Sequence, residues 1–262
     1  MQKRHLDRQL YFNEQSISTK KFVLPYITNT NNPQQKASRH YRVLEVGCGE
    51  GGNLQPFLES GYECWGVELT KTSYDNALKF YAEHPFKENI HILNKDIYDV
   101  TVSEVKGPFD IIFLKDVIEH IPHQENFMKH LKQFMSADGV VFFAFPPWRM
   151  PFGGHQQVST SKWVSHCPYI HLLPKCMLRL FGVSGGDIEF LEDLRKTGIG
   201  IRRFDKILKA ENYTVIKKTQ WLINPNYETK FGLKPRKLPR VLHIPFLQDF
   251  YTSAMYYLIK KS

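Results

Sequence analysis

No run in this chain approaches the roughly 20 consecutive apolar residues of a membrane-spanning helix. Cysteine is scarce. Cys48, Cys64, Cys167 and Cys176 contain no Cys-x-x-Cys pair and suggest no disulfide framework, so a reduced, intracellular setting is expected. The opening residues Met1-Gln2-Lys3-Arg4-His5 lack an apolar signal core, so export is not expected and the cytoplasm is the expected location. There is no internal repeat and no low-complexity tract, which argues against a solenoid or a disordered linker protein. Acidic residues run short in one place. Residues 201–262 carry 13 Lys and Arg against 4 Asp and Glu, which accounts for the whole formal charge of +9. Any attraction to phosphate, acidic lipid or acidic glycan therefore belongs to the C-terminal end. A solvated basic face fits the same composition equally well.

What is present is ordinary for a globular chain. The 262 residues are 42% hydrophobic and 23% charged, enough for one large domain with a substantial core. Residues 1–28 read as an N-terminal helical extension, and the polar stretch Asn29 to His40, with Pro33, as a linker. Strands and helices then alternate. Strands are expected at 41–46, 63–69, 90–94, 109–114 and 139–145, and helices at 53–60, 72–83 and 124–135. The strands are rich in Val, Ile and Phe, as when both faces are covered. This is the pattern of a doubly wound α/β sheet. After Phe145 the alternation breaks, and it resumes with a helix at 202–210 and strands at 213–223 and about 254–260. Between the last two strands lies a basic, proline-containing segment, Lys230 to His243.

Residues 43–52, Val-Leu-Glu-Val-Gly-Cys-Gly-Glu-Gly-Gly, run from an apolar strand into a glycine turn. Only glycine lets a backbone approach a ligand so closely. Glu68 closes the next apolar run, 19 residues after Gly49, an offset at which a carboxylate can accept from both hydroxyls of a ribose. An adenosine-bearing cofactor follows. Gly47, Gly49 and Gly52 alone also fit a nicotinamide or flavin site. Three further features shift the balance: Glu45 inside the strand end, Asp96-Ile97 after the third strand, and Phe109 to Pro122, which contains Lys115 and Glu119-His120.

At these residues the chain resembles the class I S-adenosylmethionine-dependent methyltransferases, in particular the small-molecule group with a Glu-His after strand four. The resemblance covers about 41–145 well and 201–262 in topology only. It implies a Rossmann-like seven-stranded sheet with the last strand antiparallel, an insert after strand five, and a methyltransferase domain over 41–262. It further implies that Glu45, Gly47 and Gly49 line the methionine and ribose part of S-adenosylmethionine. Glu68 would hold the ribose hydroxyls, Leu69 would flank the adenine, Asp96 and Ile97 would meet its edge and face, and Lys115 would lie close to the methionine moiety. Asp96 as a turn or helix cap, and Lys115 as a solvated cation, stay open beside these roles.

Methyl transfer from a sulfonium asks mainly for alignment and exclusion of water. A hydroxyl acceptor adds the need for a base, for which histidine is suited. The candidates are His155, on the glycine-flanked loop Gly153-Gly154-His155, His120, at the carboxyl edge of the sheet, His171 and His166. For His120, capping or packing at the next helix is the competing reading. No metal is expected: Cys167, His171 and Cys176 match no familiar zinc spacing. Phe145-Pro146-Pro147-Trp148 resembles the Asn-Pro-Pro-aromatic motif of amino-methylating nucleic-acid enzymes, but it begins with Phe and follows the fifth strand. The insert 148–200, with Trp148, Phe152, Trp163, Tyr169 and Phe181, reads either as a mobile cover over an acceptor pocket or as a small satellite core. The expected function is methylation of a small acceptor, amphiphilic or anionic, at a hydroxyl oxygen. The rivals are an RNA methyltransferase or RNA-binding protein using Lys230, Lys234, Arg236, Lys237 and Arg240, a nicotinamide-dependent oxidoreductase, and an interaction protein that keeps the fold without the activity.

Overall fold

The computed structural model describes residues 7–29, 41–159 and 161–262. The expected linker, beyond Asn29, and the first six residues lie outside the described residues. Eight strands form one sheet: β1 Arg42–Val46, β2 Glu63–Val67, β3 Ile90–Leu93, β4 Phe109–Lys115, β5 Met135–Phe145, β6 Tyr213–Ile223, β7 Arg236–Lys237 and β8 Ala254–Lys261. Their order is β3-β2-β1-β4-β5-β8-β6-β7. The strands β1 to β5 pair in parallel, and β8 is antiparallel to both β5 and β6. The doubly wound sheet with an antiparallel last strand is therefore present, with one addition. Lys237 pairs with Trp221 and Arg236 with Ile223, so two residues of the basic segment make an eighth, edge strand.

Alternate residues explain why the strands read as continuous apolar runs. Val141, Phe143 and Phe145 of β5 point into one core, while Val140, Phe142 and Ala144 point into the other. The strand β8 divides in the same way, with Met255, Tyr257 and Ile259 on one face and Ala254, Tyr256 and Leu258 on the other. On the first face lie the helices Gln124–Leu131 and Ile201–Ala210. Ile201, Phe204, Ile207 and Leu208 form the buried stripe of the latter, spaced as a helix requires. Phe204 meets Phe143, Phe145 and Tyr257 with ring centroids 4.9–5.0 Å apart.

The second face is covered by the helices Gln55–Glu59 and Lys71–Tyr81 and by the N-terminal extension. That extension begins with Asp7 capping the helix Arg8–Ser18, widens into a π-turn over Thr19–Val23 and ends as Leu24–Thr28. Phe12, Val23, Tyr26 and Ile27 are buried in the sheet's core, so the extension is part of the domain and not an appendage.

Residues 148–200 form a helical insert with helices Lys162–His166, Lys175–Leu180 and Gly185–Thr197. It has a satellite core, built from Val164, Ile170, Leu178, Val183, Ile188 and Leu191. The aromatics expected there behave otherwise: Trp163 and Phe181 are about half exposed.

Candidate functional site

The turn after β1 is held open by backbone bonds across strands. Gly47 N and Cys48 N both donate to the Val67 carbonyl, at 2.8 and 3.1 Å. Gly47 adopts φ +70°, and a Cβ there would lie 2.7 Å from Val117 Cγ2, so glycine is required on two counts. Glu68, the first residue after β2, closes the arrangement. One carboxylate oxygen accepts from Gly49 N at 2.8 Å and the other from Thr70 N at 2.7 Å. Asn94 donates to the carbonyls of Glu68 and Leu69, fixing the same strand end from the third strand.

Beneath the turn lies a buried polar chain. Asn53 Nδ2 donates to Glu45 Oε1 at 2.7 Å, while Asn53 Oδ1 accepts from Thr19 Oγ1 at 2.8 Å and from Lys115 Nζ at 3.0 Å. The π-turn thus has a local purpose: it sets the Thr19 hydroxyl on Asn53. Glu45 Oε2 has no hydrogen-bond partner. Burial pushes the Glu45 carboxyl well up, opposed by the Asn53 bond and the Lys115 charge. Burial lowers the Lys115 ammonium to about 8, against the pull of Asp116 and Glu45. A cleft opens over this chain, with Gly47, Gly49 and Asn53 on one side and Lys115, Asp116 and Val117 on the other. Tyr11, Glu14 and Gln15 of the N-terminal helix form its roof, and Asn226 and Lys230 its far rim. An Arg8–Glu50 ion pair ties the roof helix to the glycine turn.

A second group lies beyond Asp116. Asp116 adopts φ +58° and its N–H donates to Ala144 O at 2.8 Å, turning the chain after β4 into the short 3-10 helix Ile118–His120. Glu119 is 6% exposed and neither carboxylate oxygen has a hydrogen-bond partner. His155, with φ +50°, brings its Nε2 to 4.0 Å from Glu119 Oε1, and its ring centre lies 4.9 Å from that of His120. Burial, with Asp116 adding, pushes Glu119 well up. Burial, with His120 adding, lowers His155 to about 4.

A family described as a methyltransferase domain matches residues 12–172, more than half of the chain. The chain belongs to the class I S-adenosylmethionine-dependent methyltransferases. Among curated relatives, (S)-tetrahydroprotoberberine N-methyltransferase of Eschscholzia californica is 31% identical over 102 residues, covering 38% of this chain and 28% of the relative. Ubiquinone biosynthesis O-methyltransferase of Actinobacillus pleuropneumoniae is 28% identical over 116 residues, covering 42% and 49%. The matched stretch thus spans half or less of these relatives. An S-adenosylmethionine-dependent methyltransferase of Clostridium acetobutylicum shares the fold with a TM-score of 0.57 at 11% identity, covering 94% of this chain and 92% of that one. The plantazolicin methyltransferase BpumL gives the same score at 11% identity, covering 99% and 89%.

The residues present fit the methyl donor. Each oxygen of Glu68 spends one acceptor position on the backbone and keeps another for a hydroxyl. Glu45 Oε2 is a buried acceptor without a donor. Of the methyltransferase's expected site residues, Gly47, Gly49 and Lys115 line the cleft, and Glu45 and Glu68 join it through Asn53 and Gly49. Leu69 stands 70% exposed at the rim. Asp96 Oδ1 caps the short helix Ile97–Asp99 by accepting from Tyr98 N at 3.0 Å, the capping role left open for it. Ile97 is buried, 6% exposed, as part of the core on the first face of the sheet.

His120 and His155 come together, whereas His171 stands apart. It is fully buried, its Nε2 donates to the Trp148 carbonyl at 2.7 Å and its ring stands edge-on to Trp148. The residues unforeseen are Asn53, Thr19 and the roof side chains Tyr11 and Gln15. A polar Asn directly after the glycine run was the available signal for the first. The others depend on where a distant helix docks.

Proposed function

We propose that this methyltransferase acts on a hydroxyl oxygen of a small, amphiphilic or anionic acceptor in the cytoplasm. The observation that supports it is the neutral imidazole of His155, with an unpartnered Nε2, facing a buried carboxyl at the carboxyl edge of the sheet. The two curated relatives act on an alkaloid nitrogen and in ubiquinone biosynthesis by O-methylation, both small-molecule settings.

S-adenosylmethionine, when bound, supplies a methyl group on a sulfonium that leaves as a neutral thioether. The chain's own tasks are the rest. Glu68 and Gly49 would hold the ribose end, Lys115 would offer its ammonium to the methionine carboxylate, and Tyr11 and Gln15 would close the roof against water. His155, with His120 beside it, would take the proton of the acceptor hydroxyl. His171 holds Trp148, and through it the loop that carries His155, so its role is positioning. The basic segment around Lys234, Arg236, Lys237 and Arg240 is exposed near the rim residue Lys230 and suits an anionic acceptor.

Calorimetric titration with S-adenosylhomocysteine, with NAD as control, tests the cofactor assignment. Micromolar binding of the first alone is expected, and binding of NAD alone would overturn it. A mass-spectrometric screen of phenols, glycans and lipid precursors then tests the acceptor. His155→Ala is expected to leave S-adenosylhomocysteine affinity unchanged and to lower turnover on the acceptor found by about a hundredfold.

A further inference from the structure

We propose that Glu119, His120 and His155 form a binding site for one divalent first-row transition-metal ion, of the zinc or iron(II) type. Among the described residues they are the one set of three or more His, Cys, Asp or Glu side chains whose ligand atoms converge, all within 4.8 Å of one another. Two imidazoles and one carboxylate are the ligand set of borderline divalent ions, not of calcium or magnesium.

The unpartnered atoms carry the argument. A buried carboxylate normally finds donors, yet neither oxygen of Glu119 has one, and His155 Nε2 is orphaned as well. A direct Glu119–His155 hydrogen bond is excluded by their 4.0 Å separation. Two ligands bound at about 2.1 Å from a zinc ion lie roughly 3.4 Å apart in a tetrahedral site and roughly 4.2 Å apart when opposite. The gap is therefore one that an ion spans and a proton does not. His120 is exposed, so its ring can swing to close the widest separation.

The loop that presents His155 is built to hold it there. A Cβ on Gly153 would lie 2.2 Å from the Trp148 carbonyl oxygen, and one on Gly154 would lie 2.3 Å from His171 Cβ. The loop is thus pressed onto Trp148 and His171, and His155 follows in the left-handed region that few non-glycine residues adopt. Three protein ligands are one fewer than a closed structural zinc site uses, which matches the ligand count of a working metal. This deepens the hydroxyl reading above: with His155 Nε2 taken up as a ligand, the ion would replace the free imidazole by lowering the pKa of the acceptor hydroxyl, whose proton then leaves to water. That consequence rests on the hydroxyl reading, whereas metal binding does not.

The test uses the full chain, stripped with chelator and titrated with Zn2+ by calorimetry, with Co2+ as an optical probe and no acceptor present. One equivalent is expected, with visible Co2+ bands on binding. Glu119→Gln and His155→Ala are each expected to weaken uptake at least tenfold, about the scale seen for removing outer-shell partners of metal sites. Glu119→Asp should recover part of it, and His166→Ala, at an exposed histidine, should change nothing. S-adenosylhomocysteine titration of each variant reports whether it is folded. Absence of saturable uptake by the wild type, or equal uptake by folded Glu119→Gln and His155→Ala, would overturn the site. Metal uptake with no methylated hydroxyl in the acceptor screen would sink the hydroxyl reading and leave the metal site standing.

Discussion

At the scale of single residues, Glu68 and Lys115 make the sharpest claims. Glu68 holds the glycine turn through Gly49 N and the next strand end through Thr70 N, and its remaining acceptor positions are those proposed for the cofactor. Removing a charged acceptor that satisfies buried donors costs about 1.5–3 kcal/mol, so Glu68→Ala should weaken S-adenosylhomocysteine binding at least about tenfold in calorimetry. Unchanged affinity would mean that the cofactor lies elsewhere. Lys115 gives a pH dependence. Burial lowers its ammonium to about 8 in the free protein, with Asp116, Lys230 and Glu45 as the charged groups acting on it. A ligand carboxylate beside it favours the protonated form and raises its pKa in the complex, so binding above pH 8 requires proton uptake. Affinity should be flat below about pH 8 and fall as pH rises beyond it. Lys115→Met should be weaker at neutral pH and lose that part of the decline. A decline identical in both proteins would show that the ligand's own amino group causes it.

At the scale of elements, the N-terminal helix is both core and roof. Gly52 sits where a Cβ would lie 2.6 Å from the Phe12 carbonyl oxygen and 2.8 Å from Gln15 Oε1, so the helix docks on the glycine turn backbone to backbone. Gly52→Val should force the two apart, at about 1–3 kcal/mol, a cost readable as lost stability in urea unfolding. The same variant should lose cofactor affinity, because Tyr11 and Gln15 move with the helix, and limited proteolysis should cut earlier within residues 8–28. This docking was the part of the fold least legible in the sequence. The alternation of β1 to β4 was readable because each strand is a compact apolar run between turn signals, and Tyr213–Ile223 shows the expected bounds of 213–223. The strand β5 instead begins at Met135, where the expected helix 124–135 was to end, because the polar stretch Ser136 to Gly139 belongs to the strand. The two-residue β7 was not readable, since Arg236-Lys237 lies among prolines and is defined only by its partners Trp221 and Ile223. The site divides the same way. Glu45, Gly47, Gly49, Glu68 and Lys115 sit at strand ends, where position in the chain fixes position in space. By contrast, the meeting of His155 with Glu119, and the burial of His171 under Gly154, depend on how the insert folds back.

At the scale of the molecule, charge offers a test between the proposed acceptors. The first 200 residues are neutral overall and the whole excess of +9 lies after them. Lys234, Arg236, Lys237 and Arg240 are exposed, and apolar side chains stand exposed beyond them, Val241 at 79% and Phe246 at 58%. A nucleic-acid groove combines basic residues with aromatic platforms along a continuous channel. Here the basic positions are interrupted by Pro235 and Pro239 and mixed with aliphatic residues, which suits one small amphiphile better than a polynucleotide strand. The consequence is measurable with labelled single-stranded RNA in fluorescence anisotropy. A cation cluster of this kind should give weak association that disappears between 50 and about 200 mM salt, without any base preference. Reversing Lys234, Arg236, Lys237 and Arg240 to Glu should remove that residual binding. It should leave S-adenosylhomocysteine affinity within about twofold, because none of the four lines the cleft. Submicromolar RNA binding that persists at physiological salt would reverse the assignment. The basic segment would then be a recognition surface, and the acceptor would have to be sought on a nucleobase or ribose instead of a small molecule.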